Sequence, residues 1–140
     1  MAKWLRKGGP VDALYTRLAD DGEIAAFGLL HVAALGDLEM VKMLLKRGAS
    51  VDLQGGLGAG TALVQAAYQG HLSILLLLLQ HSANPDLQSS EGSTALMYAA
   101  NQGNKACVQA LLRAGANTEL LDEHGFTALQ HAEDLSLIHI

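Results

Sequence analysis

The tripeptide Thr-Ala-Leu occurs at Thr61, Thr94 and Thr127, two successive intervals of 33 residues. A fixed interval of this size marks a chain of stacked supersecondary units, none of which can bury its apolar face alone. The interval governs more than the tripeptide. Gly36, Gly70 and Gly103, the Leu pairs that begin at Leu44, Leu78 and Leu111, and Ala49, Ala83 and Ala116 each step by 34 and then 33 residues. The extra residue therefore falls between Ala49 and Thr61, in the glycine-rich stretch Gly55 to Gly60.

Within each unit the apolar spacing is helical. Leu63, Ala66 and Ala67 stand at i, i+3 and i+4, one face of a short helix that Gly70 ends. A second helix follows, with Leu72, Leu75, Leu78 and Leu79 on one face and Ile74 and Leu77 widening the stripe, as burial against neighbours on two sides requires. Gly48-Ala49 and Gly115-Ala116 then fit left-handed helix ends, where a Cβ would clash. Ser82 holds that place in the middle unit at a cost of about 1–2 kcal/mol, so this end is expected to be less stable than its equivalents.

Thr-Ala-Leu, the paired alanines, Gly70-His71, the Leu pair and Gly115-Ala116 together resemble the ankyrin repeat. The resemblance covers residues 27–134 and implies an all-α solenoid: two antiparallel helices per repeat, followed by a β-hairpin-like finger. Repeats are read as 27–60, 61–93, 94–126 and a partial 127–134. The family's Thr-Pro-Leu-His reads Thr-Ala-Leu-Val, Thr-Ala-Leu-Met and Thr-Ala-Leu-Gln here, so the imidazole that in the family helps link adjacent repeats is missing from all three. Alanine for proline is mild, since either can begin a helix.

Both ends look unfinished. Trp4 to Asp12 parallels Leu44 to Asp52, so residues 1–26 read as a degenerate partial repeat with a long loop near Asp20 to Ala26. Thr127 opens a helix with no complete second helix after it, and residues 135–140 are similar to adapter read-through in assembled transcripts. The expectation is a piece of a longer array with a non-native tail.

Composition narrows the functional classes. A net charge of -5 argues against a nucleic-acid-binding surface, and the acidic excess gathers in Glu119, Asp122, Glu123, Glu133 and Asp134. No apolar run approaches the roughly 20 residues of a spanning helix, and no secretory h-region follows the basic N-terminus. Cys107 is the single cysteine, which excludes an internal disulfide and suggests a reducing compartment, cytoplasmic or nuclear.

Several sites invite a chemical reading. Gly55-Gly56-Leu57-Gly58-Ala59-Gly60 lacks the Gly-Lys-Ser/Thr of a phosphate loop, so a lengthened finger is preferred over nucleotide binding. The six histidines show no zinc spacing. His71 stands where ankyrin repeats place a structural histidine beside the inter-helix glycine. His124 and His131, with Glu123 and Glu133 nearby, could share a face and hold a metal, but no metal or other cofactor is expected. Cys107 falls at the register of Met40 and Ile74, a packing position. The acids lie mostly in fingers and helix ends, where a solvated face is the default, and no nucleophile is paired with a base and an orienting acid.

What remains is a binding surface. Ankyrin surfaces are typically built from first-helix ends and finger tips, which by register are Leu35, Tyr68, Gln69, Asn101 and Gln102, then Leu57, Ser90, Glu91, Ser93, Glu123, His124 and Phe126. The expected function is a non-catalytic protein–protein interaction module that binds a protein with a basic patch, by preorganisation of a rigid surface. The alternative is an architectural spacer or regulatory segment of a larger multidomain protein.

Overall fold

The computed structural model describes residues 14–18, 24–28, 36–55 and 60–132. Strands β1 (Leu14–Leu18) and β2 (Ile24–Gly28) pair antiparallel, with Leu14 opposite Gly28 and Leu18 opposite Ile24. Of the loop expected near Asp20 to Ala26, residues 20–23 lie outside the described residues, and the last three residues belong to β2 instead. Ile24, Ala25 and Ala26 are extended and paired, because the backbone groups of a hairpin can satisfy each other across the pair. Phe27 and Gly28, which the register counts as the head of the first repeat, close the same strand. The parallel drawn from Trp4 to Asp12 and the tail 135–140 lie outside the described residues.

Six helices follow among the described residues: α1 (Leu38–Lys46), α2 (Ala62–Gln69), α3 (Leu72–Gln80), α4 (Ala95–Asn101), α5 (Lys105–Arg113) and α6 (Ala128–His131). Helices α2, α4 and α6 stack in one layer, and α1, α3 and α5 stack in the second. Each α2–α3 and α4–α5 pair is one unit of the solenoid. From Gly36 onward the described residues form an all-α repeat stack with irregular fingers after α1, α3 and α5, here termed the first, second and third fingers.

The recurring residues build this stack locally. Thr61 and Thr94 are extended N-caps whose hydroxyls accept from the N–H of Val64 at 3.2 Å and of Met97 at 3.3 Å. At Thr127 the Gln130 side chain accepts the Thr127 backbone N–H instead, at 2.8 Å. Leu63, Ala66 and Ala67 are buried, as are Leu75, Leu78 and Ile74 on α3, and small alanines let the first-helix layer approach closely. Leu76 breaks the α3 stripe and faces solvent.

Ser82 adopts φ 63°, in line with Gly48 at 85° and Gly115 at 84°. In each of these ends the following residue returns a hydrogen bond to the Leu44, Leu78 or Leu111 carbonyl. The same backbone is thus imposed on serine by its neighbours. Cys107 is 2% exposed among the core side chains, and burial raises its thiol above the ordinary value.

Candidate functional site

The fingers are held in line by side chains that reach from one repeat to the next. Asp52 accepts the backbone N–H of Asn84 at 2.9 Å, and Asp86, 34 residues on, accepts that of Asn117 at 2.7 Å. Gln54 donates to the Gln88 carbonyl, and Gln88 donates in turn to the Leu121 carbonyl, both at 2.9 Å. These bonds link repeats at the fingers in a chain that lacks the Thr-Pro-Leu-His imidazole. Between the helices, Asn104 donates to the Ala67 carbonyl at 2.9 Å, and its amide lies against Gly70. His71 occupies the equivalent place against Gly36, which supports its structural assignment.

At the second and third finger tips the backbones themselves meet. Glu123 donates its N–H to the Glu91 carbonyl at 2.8 Å. Beside this bond a cleft of about 170 Å³ opens, walled by Glu91, Ser93, Met97, Tyr98, Asn101, Asp122, Glu123, His124 and His131. Five of these, Glu91, Ser93, Asn101, Glu123 and His124, belong to the row expected from register. Among the described residues, no Lys or Arg lines the cleft.

The row is not uniform. Tyr68 is 44% exposed and meets the edge of Tyr98 with ring centroids 5.9 Å apart and planes at 84°, an arrangement favoured by the ring quadrupoles. Gln69, Ser90, Asn101 and Gln102 are exposed. Phe126 is exposed but lies outside the cleft wall, packed edge-on against His131 at 6.2 Å. Ser93, expected as a finger-tip contact, is only 8% exposed because its backbone closes the finger against Ser89. Leu35 and Leu57 lie outside the described residues.

Asp122 departs furthest from its expectation as a solvated acid. Its side chain is 4% exposed. One carboxylate oxygen accepts the backbone N–H groups of Phe126 and His124, each at 2.9 Å, and the other lies 2.7 Å from His131 Nε2. The Phe126 N–H, with the His131 and His124 contacts, holds the Asp122 carboxyl below the ordinary aspartate range. The finger consumes this acid as its own turn-former, pinned to α6 through His131.

His124 lies 3.3 Å from Glu123, and His131 is engaged by Asp122, so the two histidines expected to share a face each have a carboxylate. Glu133 lies outside the described residues. Among the described residues no group of three or more His, Cys, Asp or Glu side chains is placed to hold a metal ion.

Tyr98 and Asp122 were missed by register reasoning, which took only the last residues of the first helix and the tips of the fingers. Tyr98 does not recur, since Gln65 stands at its place one repeat earlier. The same criterion applied along the whole of α4 finds it. Asp122-Glu123-His124-Gly125 has the composition of an Asx turn, which marks its carboxylate as spent on backbone.

No helix among the described residues is long and apolar enough to cross a membrane. The chain was compared with family models and with curated proteins. No curated protein matches. The model for ankyrin repeats, in three copies, matches residues 63–137, and the model for a single ankyrin repeat matches residues 29–56. The matched segments contain the Thr94 cap, the inter-helix glycines Gly36, Gly70 and Gly103 and nearly all of the two-layer helix stack described above, and the chain belongs to the ankyrin repeat family.

Proposed function

We propose that this chain is a non-catalytic protein–protein interaction module whose contact surface runs from Tyr68 and Gln69 over Asn101 and Gln102 to the second and third finger tips. Ankyrin repeats in general mediate protein–protein interaction. The observation that carries the reading for this surface is the Tyr68–Tyr98 edge contact: a half-exposed aromatic, braced by a second ring, in a setting of exposed amides. An anchor of this kind inside a polar rim is the usual energetic centre of a protein interface.

Two further features support it. The inter-repeat bonds from Asp52, Gln54, Asp86 and Gln88 order the fingers before any partner arrives, so little freedom is lost on association. The acids at Glu91 and Glu123 favour a partner with a basic patch, and disfavour nucleic acid. We place the module in the cytoplasm or nucleus, on the single, buried, unpaired cysteine, within a longer repeat array.

The test is affinity capture with the full chain and with Tyr68→Ala and Phe126→Ala variants of unchanged melting temperature, the captured proteins being identified by mass spectrometry. Loss of the same partner in Tyr68→Ala is expected. Equal capture by wild type and both variants removes this surface assignment and favours an architectural spacer.

A further inference from the structure

The charges of the helical stack are sorted by layer. Among the described residues from Gly36 onward every Lys and Arg, namely Lys42, Lys46, Arg47, Lys105 and Arg113, lies on α1, on α5 or directly after α1. The acids divide the other way, with Asp52, Asp86, Glu91, Glu119, Asp122 and Glu123 all in the fingers. Two acids remain on the layer of α1, α3 and α5. Asp37 accepts the Met40 N–H as the cap of α1, and Glu39 faces Lys42 at 3.5 Å. Lys46, Lys105 and Arg113 are exposed and form no ion pair among the described residues.

A second observation is independent of charge. Helix α3, packed between α1 and α5, carries no charged residue. Burial in the stack takes up Ile74, Leu75 and Leu78. Leu72, Leu76 and Leu79, at i, i+4 and i+7, form a separate row down the helix. Leu76 is 42% exposed, and Leu72 and Leu79 are only partly buried. Lys42 and Gln109 stand at the Leu76 position in the units on either side, so the stack itself does not require an apolar residue there.

We infer that the outer face of α1, α3 and α5 docks an acidic amphipathic helix of a partner protein. Its apolar stripe would lie on the Leu72–Leu76–Leu79 row, with carboxylates against Lys46 on one side and Lys105 and Arg113 on the other. This face belongs to the layer opposite Tyr68, and the inference goes beyond the surface proposed above. Neighbouring helices pack about 8–10 Å apart, so a helix about 10–12 Å across, laid on α3, meets cationic side chains at both edges. Apolar anchors at this spacing are the mode of helix-in-groove recognition, and opposite charges along the borders fix its register. An anionic membrane fits less well, because the apolar row is one helix wide and partly buried, whereas a membrane-surface element offers a continuous apolar face. Nucleic acid has no apolar stripe to cover Leu76.

The experiment is an NMR titration of the ¹⁵N-labelled full chain with an acetylated, amidated peptide in which the heptad Glu-Leu-Ala-Glu-Leu-Leu-Glu occurs twice. Saturable shifts are expected at the amides of Lys46, Leu72, Leu76 and Lys105. The analogue with glutamine for every glutamate should bind about tenfold more weakly. Leu76→Gln, which copies Gln109, should weaken binding about fivefold with an unchanged melting temperature. Lys46→Gln combined with Arg113→Gln should weaken it about tenfold and flatten its salt dependence. Tyr68→Ala should leave it unchanged.

Equal binding of the glutamine analogue overturns the inference, as do shifts confined to the fingers, unchanged affinity in both sets of variants, or a loss in Tyr68→Ala. Vesicles of phosphatidylserine and phosphatidylcholine and a duplex DNA oligonucleotide are titrated alongside. Binding to either in place of the peptide assigns the face to that class and overturns the helix. Salt-sensitive dimerisation that the peptide does not displace assigns it to a second copy of the chain and does the same. Loss of partner capture in Tyr68→Ala bears on the finger surface alone, so the two readings fail separately.

Discussion

The backbone N–H of Glu123 donates to the carbonyl of Glu91 at 2.8 Å, joining the tips of consecutive fingers one repeat apart. Gly92 lies directly beneath this bond with φ 76°, and a Cβ there would stand 3.0 Å from the Glu123 nitrogen and 3.1 Å from Asp122 backbone carbon atoms. The finger tips can approach this closely only because a glycine lies between them.

Gly92→Ala is therefore expected to destabilise the chain by about 2 kcal/mol, from the left-handed backbone together with crowding against backbone that cannot rotate aside. Urea denaturation measures the loss. Amide hydrogen exchange at Glu123 should accelerate by more than the global change, and protection equal to wild type there contradicts the finger-tip bond.

Ser82→Gly should act in the opposite direction. Its φ of 63° is one that glycine adopts freely at the equivalent Gly48 and Gly115. A gain of about 1 kcal/mol in urea is expected, since relief of the left-handed strain exceeds the added freedom of the unfolded chain. An unchanged or lower urea midpoint means that the Ser82 side chain compensates its own strain.

The Asp122 carboxyl is held below the ordinary aspartate value of 3.8 by the Phe126 N–H first, and then by its contacts with His131 and His124. On acidification the unfolded chain binds a proton at this residue before the folded chain does. The stabilisation is thus complete above pH 4 or so and is lost as pH falls through the lower, folded value. Carbon-detected NMR titration of Asp122 should show the depressed midpoint. Asp122→Asn should lose stability at pH 7 and show a shallower further loss on acidification than wild type. Parallel acid profiles for the two proteins remove the linkage.

Cys107 should resist a thiol reagent in the folded chain, because it is 2% exposed and its raised thiol supplies little thiolate near neutral pH. The reaction should be complete within the dead time once urea exceeds the unfolding midpoint. Stoichiometric labelling under native conditions at the same rate as in urea contradicts the burial.

Much of the architecture is legible in the sequence because its causes are local. Thr61 and Thr94 cap helices whose N–H groups lie three residues away, Gly70 ends its helix through its own φ, and Leu75 and Leu78 share a face by helical geometry alone. The candidate site was only partly legible. Glu91, Asn101, Glu123 and His124 follow from register, yet Ser93 proves to be an enclosed wall rather than an exposed tip, and Asp122 an internal ligand of its own finger. Register assigns a residue to a finger or a helix end; it does not say which way the side chain turns once two fingers meet.

The sequence by itself determined the stack: a period near 33 residues, with recurring threonine caps, inter-helix glycines and apolar stripes, leaves helical repeats as the arrangement that buries every unit against the next. Tertiary structure decided the surface. The Tyr68–Tyr98 edge contact, the Glu91–Glu123 bond, the closure of Asp122 by His131 and the pairing of Leu14–Leu18 with Ile24–Gly28 each join residues from different elements. Such contacts depend on side-chain direction and on distances of a few tenths of an ångström between neighbouring units, quantities that a repeating pattern of residue types does not contain.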